Sequence, residues 1–399
     1  MLAGARWYCG EVWAAGLRIV LDALGEARAD GGARANGGGA RVPLLEVWVR
    51  AAPRLMLPST RQELHSRFDG LDAVVDEFQR RWSELLDGDL DRLTERAKAI
   101  FADARPAWPR AVFHGPDAQI AAEDVDALNR GEFQVVVGDF HPGAVPVGLG
   151  VFLTCHPDPE QVRRFIAAYY REPRLYLPVS RRFTRGGGRI YAAYATPADN
   201  CLLTADDTGM PDGYRCLSLA ELWVEDGATE PVIVDADGAV VAPLAHAFEY
   251  HILLAGIEGY KPYRPVPHSP RITVGRTVLR REMWTFAGVD IPWADRADGL
   301  HDAARAWASA QAMPRRVFVL VSEQPKPIYV DFDSPALVAV LARQIRAVGR
   351  GEVRFSEMLP GPDHAWLVDA EGRRYTSELR LTAVDLARNT PGGRALPEL

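Results

Sequence analysis

The sequence is short of lysine. Only Lys98, Lys261 and Lys326 occur, and the remaining 43 of the 46 basic residues are arginine. With alanine and glycine abundant, that skew reads as coding bias rather than selection for phosphate contacts. Cysteine is scarce too: Cys9, Cys155, Cys201 and Cys216 are widely spaced and form no CxxC pair, which argues against a zinc site or a disulfide framework. No apolar run approaches the roughly 18 residues that span a bilayer. The N-terminus has no basic flank ahead of an apolar block, so the chain reads as cytoplasmic. A GxxxxGK(S/T) loop is missing, and RGGGR at 185–189 has the glycines without a helix pattern after it, so no P-loop nucleotide site is expected. There is no HExxH or GxSxG, and the histidines of HAFEYH (246–251) are spaced off a common helical face.

What is present is an ordinary globular composition, 48% hydrophobic and 25% charged over 399 residues, long enough for two or three units. A net charge of −7 excludes a protein coated with nucleic acid and leaves room for a local basic patch.

Residues 1–105 read as helical, because Trp13, Leu17, Val20, Leu21 and Leu24 recur at three- and four-residue steps, as do Leu71, Val74, Val75, Phe78, Trp82 and Leu85. Between them ADGGARANGGGA is expected to be a mobile loop. Residues 106–265 read as mixed α/β. FQVVVGDFHPG is a strand entering a turn, and VIVDADGAVV is a hairpin around Asp-Gly. In HPDPEQVRRFIAAYY a helix capped by Asp158 buries Val162, Phe165, Ile166 and Tyr169. Residues 266–385 are strand-rich, with DAEG turning a hairpin and one helix capped by Ser334, and 386–399 is a frayed tail. The fold class expected is α+β: a helical N-terminal part, a mixed α/β part and a strand-rich C-terminal part.

One ordered series of segments is more specific than any single motif. HSPRITVGRTVLRREMW is followed by MPRRVFVLVSEQPKPIYVDFDSP and then by FSEMLPGPDHAWLVDAEGRRYTSELRL. Upstream stand ARWYCGEVWAAGLRIVLDAL, VVDEFQRRWSELL, VFHGPDAQIAAED and VVVGDFHPG. In that order, over roughly residues 4–385, the chain resembles the lantibiotic dehydratase family, in the later half of its glutamylation region. The resemblance implies transfer of glutamate from glutamyl-tRNA to serine or threonine hydroxyls of a ribosomal precursor peptide, before elimination by a separate domain. Related peptide aminoacyl-tRNA ligases instead add an amino acid to a peptide C-terminus. Against both patterns, the sequence starts about halfway into the glutamylation region and stops near SELRL. The expectation is a split or truncated relative, needing a partner for the N-terminal half and a separate elimination enzyme. A non-catalytic leader-peptide-binding scaffold is the alternative from another class.

Such a transfer starts from an activated ester, so no cofactor is expected beyond the aminoacyl-tRNA co-substrate, and positioning and electrostatics supply the acceleration. Arginine forks suit that task. Strand alternation places Arg276 and Arg280 on one face and Arg281 on the other. Arg271, Arg315, Arg316, Lys326, Arg373, Arg374 and Arg380 would extend the patch if their strands lie side by side, and Arg181, Arg182, Arg185 and Arg189 form a second cluster. The competing reading is structural, with Glu357 and Glu378 each neutralising an arginine within the sheet. His141 and His156, at strand ends beside prolines, and Asp139 are the candidates for proton transfer, against a plain turn role.

Overall fold

The periodic apolar stripe of the N-terminal segment becomes a single long helix, α1 (Leu2–Ala29), around which one core is built. The structure, a computed structural model, describes residues 2–31, 34–36, 39–55, 68–104, 113–143, 156–168, 175–176, 199–203, 215–249, 251–252, 260, 262, 266–321 and 326–384. Against α1 pack α2 (Leu44–Leu55), α3 (Leu71–Leu86) and α4 (Leu93–Ile100). Phe78 is fully buried, with ring centroids 4.9 Å from Tyr8 and 4.8 Å from Tyr260, and Trp7, Trp82 and Phe101 ring it further out. Such pairs add about 0.5–1.5 kcal/mol each beyond simple burial. Gly16 lets α1 approach Ile252, since a Cβ there would lie 2.6 Å from the Ile252 side chain.

The glycine-rich tract corrects the expectation of a loop. It contains β1 (Arg34–Asn36) and the start of β2 (Gly39–Pro43), paired antiparallel. Val42 and Pro43 continue that ladder onto a strand far along the chain, so backbone pairing supplies the order that glycine side chains cannot.

Next come β3 (Phe113–Ala122) and β4 (Phe133–Gly143), linked by the short helix α5 (Val125–Arg130). The Asp124 carboxylate caps α5 by accepting from the Ala127 N–H at 2.7 Å, and Gly131, with φ 80°, ends it. α6 (Pro159–Ala168) begins as expected, with the Asp158 carboxylate accepting from the Gln161 N–H at 2.9 Å. The burial expected of Phe165, Ile166 and Tyr169 lies outside the described residues. β5 (Leu175–Tyr176), β6 (Asn200–Leu203) and β7 (Arg215–Ser218) form a small parallel sheet. β8 (Trp223–Asp226), β9 (Pro231–Val234) and β10 (Val240–Pro243) complete an antiparallel sheet in the order β1-β2-β8-β9-β10. Its last turn is the expected Asp-Gly one, with Asp235 accepting from the Asp237 and Ala239 N–H groups.

In the C-terminal part the strands are β11 (His268–Ser269), β12 (Ile272–Val274), β13 (Thr277–Arg280) and β14 (Met283–Ala287). After α7 (Leu300–Ala310) come β15 (Arg316–Val321), β16 (Ile328–Asp331), α8 (Pro335–Val348) and β17 (Glu352–Glu357). Ser334 caps α8 as its sequence implied, accepting from the Leu337 N–H at 3.4 Å. A hairpin of β18 (Leu367–Val368) and β19 (Arg374–Tyr375) precedes β20 (Ser377–Arg380) and β21 (Ala383–Val384). Two larger sheets result. One is antiparallel, β11-β14-β17-β15-β16, with a core that includes Trp293, Val317, Leu341, Ile345 and Phe355. The other runs β12-β13-β4-β3-β20, with β13 parallel to β4 and β21 also on β3. The fold is thus α+β with helices first. No described helix is long and apolar enough to cross a membrane.

Candidate functional site

The arginine-rich segment lies where the two larger sheets meet. β13 belongs to one and β14 to the other, and only Arg281 and Glu282 separate them. At this seam the buried carboxylate of Glu357, 5% exposed, organises its neighbours. Arg271 grips it with a two-pronged contact, Nε to Oε1 at 2.7 Å and the second prong to Oε2. Glu357 also accepts from the Glu282 N–H at 2.9 Å, while its own N–H donates to the Glu282 carbonyl at 3.0 Å. The Glu282 carboxylate meets His268 Nε2 at 2.8 Å, and the His268 ring stacks on Trp284 at 5.4 Å. The carboxylate hydrogen bond raises the Arg271 pKa, so this guanidinium stays charged. Two of its five N–H donors are engaged by Glu357 and the side chain is 41% exposed, which leaves a charged, pre-oriented fork open to a ligand.

The other basic candidates separate. Arg276 is not in the strand but in the turn before it, its guanidinium 5.3 Å from the Phe133 ring and next to Gly131. Arg280 ends β13, about 13 Å away at strand rise, and reaches the Pro270 carbonyl at 3.4 Å. Arg281 is half-buried and spans the seam, donating to the Leu359 carbonyl at 2.7 Å and to Gln119 Oε1 on β3 at 2.9 Å. Arg315 and Arg316 lie in the antiparallel sheet region, where both contact Asp331, Arg315 through two bonds of 2.8 and 2.9 Å. Arg315 is the leading cause holding the Asp331 carboxyl well below the usual carboxylate range. Lys326 is exposed just before β16.

Arg380, at the other edge of the mixed sheet, pairs with Asp117 at 2.5 Å and with Glu378 at 2.7 Å. Arg373 is taken by Asp369 and Glu371, and Arg374 donates to the Glu123 carbonyl at 3.0 Å. The side-by-side arginine surface is therefore corrected: β15 and β20 do not adjoin β13, so Arg315, Arg316 and Arg380 do not extend its patch. Arg276 and Arg280 likewise do not share a strand face, because Arg276 belongs to the turn. Glu357 and Glu378 do neutralise arginines, as the structural alternative held.

His141 and Asp139 lie on β4, with His141 opposite Gly115 of β3, and their side chains lie outside the described residues. Arg181, Arg182, Arg185 and Arg189 also lie outside them. His156 is exposed and its Nδ1 is 2.8 Å from the Asp158 carbonyl and 3.1 Å from its N–H, a turn contact. Sequence reasoning overlooked His268 and Glu282. Their signal was present: they bracket the arginine segment, and β11–β14 pairing brings its two ends together. Among the described residues no group of three or more His, Cys, Asp or Glu is placed to hold a metal.

The chain is similar to known proteins in sequence and in fold. Residues 58–341 match the family described as lantibiotic dehydratase, N terminus. The chain belongs to that family. Two solved structures of the glutamylation domain TbtB from thiomuracin biosynthesis are similar to it, one of them bound to 5'-phosphodesmethylglutamycin. Both have 20% identity and a TM-score of 0.53, and they cover 96% and 95% of this chain. The tRNA-dependent lantibiotic dehydratase MibB from Microbispora sp. 107891 aligns at 21% identity over 81% of the chain, with a TM-score of 0.48. The chain spans 49% of the TbtB chains and 34% of MibB. No curated protein matches it. The lantibiotic dehydratase match takes in Arg271, Arg276, Arg280, Arg281, Arg315, Arg316 and Lys326, but not Arg374 or Arg380.

Proposed function

We propose that this lantibiotic dehydratase family member is one part of a glutamylating enzyme that uses glutamyl-tRNA and acts on serine or threonine of a ribosomally made precursor peptide. The family match over residues 58–341 carries this reading, and the likeness to glutamylation-domain folds along nearly the whole chain supports it. The reading places the protein in the cytoplasm, where charged tRNA and new peptides meet. It assigns a partner polypeptide to the portion of the domain that this chain does not span, and elimination to a separate enzyme.

The chemistry is acyl transfer from an activated ester, so the chain's task is to hold and orient. Arg271, fixed by Glu357, is the best-prepared anion holder at the seam. In the proposal it receives a carboxylate or phosphate of the aminoacyl-tRNA, with Arg280 nearby on the same segment. His268, hydrogen-bonded to Glu282, is the described imidazole best placed to accept a proton from an attacking hydroxyl. His141 and Asp139 remain candidates for the same role.

The test is a mass measurement of the cognate peptide after incubation with this protein, its partner and glutamyl-tRNA. The expected product carries added glutamyl residues on serine or threonine. An adduct of another amino acid at the peptide C-terminus would make it a peptide aminoacyl-tRNA ligase. Peptide binding with no tRNA-dependent product would make it a scaffold.

A further inference from the structure

The C-terminal end of α8 presents a basic face that no carboxylate among the described residues neutralises. Residues 334–351 read SPALVAVLARQIRAVGRG, with three arginines and no acidic residue, inside a chain whose net charge is −7. α8 buries Val338, Leu341, Ala342 and Ile345, while Arg343 and Arg346, one turn apart, are exposed. Arg350 is exposed just past the cap at Gly349. The Arg346 guanidinium donates to the Ala294 carbonyl, which brings exposed Arg296, two residues further on, to the same edge.

Acidic residues stand nearby in sequence at Asp290, Asp295, Asp298 and Glu352. Yet among the described residues Arg296, Arg343, Arg346 and Arg350 make no ion pair, and Glu352 is already taken by Arg354. The arginines Arg271, Arg305, Arg315, Arg316, Arg373 and Arg380 of the same part each have a carboxylate. A helix C-terminus favours cations by about 0.3–1 kcal/mol within its last turn. That accounts for Arg346, but Arg343 lies before the last turn and Arg350 beyond the helix. Positive charge left unpaired on one exposed edge of an acidic protein is what a phosphate backbone would fill.

We infer that the edge formed by Arg296, Arg343, Arg346 and Arg350 is a docking surface for the sugar-phosphate backbone of the transfer RNA. The inference rests on the tRNA-dependent reading above and names where the RNA body lies, away from the seam that handles the acyl group. Arg343, Arg346 and Arg350 fall outside the residues matched to the family.

The experiment measures the affinity of the full chain for unfractionated transfer RNA across a salt series. The wild type is compared with Arg343→Gln/Arg350→Gln and with a charge-matched control, Arg80→Gln/Arg92→Gln. The control removes exposed arginines paired to Glu77, Glu84 and Glu95 on the N-terminal helices. Arg346 is left in place because it also holds Ala294. Each lost phosphate contact lowers the slope of log affinity against log salt by about one. The α8 variant is expected to lose about two from that slope and to bind more weakly at low salt, while the control keeps the wild-type slope. If wild type binds and the α8 variant keeps its slope, the docking surface is overturned and the tRNA-dependent reading stands. If wild type shows no salt-dependent binding to transfer RNA, both are overturned.

Discussion

Two sets of arginines occupy the C-terminal part, and they differ in what they touch. Several on and beside the sheets meet carboxylates: Arg271 on Glu357, Arg315 and Arg316 on Asp331, Arg380 on Asp117 and Glu378, while Arg281 and Arg374 donate to backbone carbonyls. Those at the end of α8 are exposed and meet no carboxylate among the described residues, Arg346 donating to a backbone carbonyl. The same residue type therefore serves two purposes. A guanidinium with a buried carboxylate fixes strand register and stays charged in a set orientation. An exposed one with no such contact, as at Arg343 and Arg350, contributes little to the fold and keeps its charge for a ligand.

The sharpest way to break this contrast is Glu357→Ala. Removing the buried carboxylate strands Arg271 and the Glu282 N–H, and the expected loss is about 3 kcal/mol. The Arg271 side chain, 41% exposed, can recover some hydration, which keeps the loss below that of a fully buried charge left unpaired. Urea denaturation measures it, and an unchanged midpoint would mean that the seam pair is ornamental.

Acidification separates ion pairs from buried neutral groups. His251 is 4% exposed, and burial lowers its pKa to about 4. Unfolded chains bind a proton there near pH 6.5, so its contribution is complete above that pH and lost as pH falls towards 4. The loss by pH 4 is about 3 kcal/mol. Asp331 behaves oppositely in range: Arg315 and its other partners depress it, so its contribution persists through that window and is lost only at more acidic pH. Denaturant midpoints across pH 7 to 4 should therefore fall in wild type and fall in parallel in Asp331→Asn.

Asp331→Asn itself is expected to cost about 1–2 kcal/mol at neutral pH, since it weakens the bonds to Arg315 while the Asp333 N–H can still donate to the amide oxygen. The 54% exposure of Arg315 limits the figure. The smallest effect belongs to α8. Arg343→Gln/Arg350→Gln should change stability by less than about 0.5 kcal/mol per site, measured by the same urea midpoint, and a larger loss would place these arginines with the structural set.

Much of this was legible in the sequence where the determining interaction is local. Asp158 and Ser334 cap the helices they precede, and the Asp-Gly turn joins β9 to β10, because each depends on residues within a few positions. The glycine-rich tract was misread because its order comes from the pairing of Val42 with Val224, which local composition does not encode. The candidate site shows the same division. Arginine density pointed to 269–284, and Glu357 and Glu378 were recognisable as partners. That Arg315 meets Asp331 and that Arg380 crosses to Asp117 depends on β15–β16 and β20–β3 register. The α8 edge had a local signal, an acid-free run, which the denser cluster upstream overshadowed.

Arginine reactivity towards a dicarbonyl reagent such as phenylglyoxal, mapped residue by residue with and without transfer RNA, tests the division most directly. The account predicts that Arg343 and Arg350 react fast in the free protein and are shielded by RNA, while Arg315 and Arg380 react slowly in both states. Shielding confined to the sheet arginines, with Arg343 and Arg350 equally reactive in both states, would contradict it.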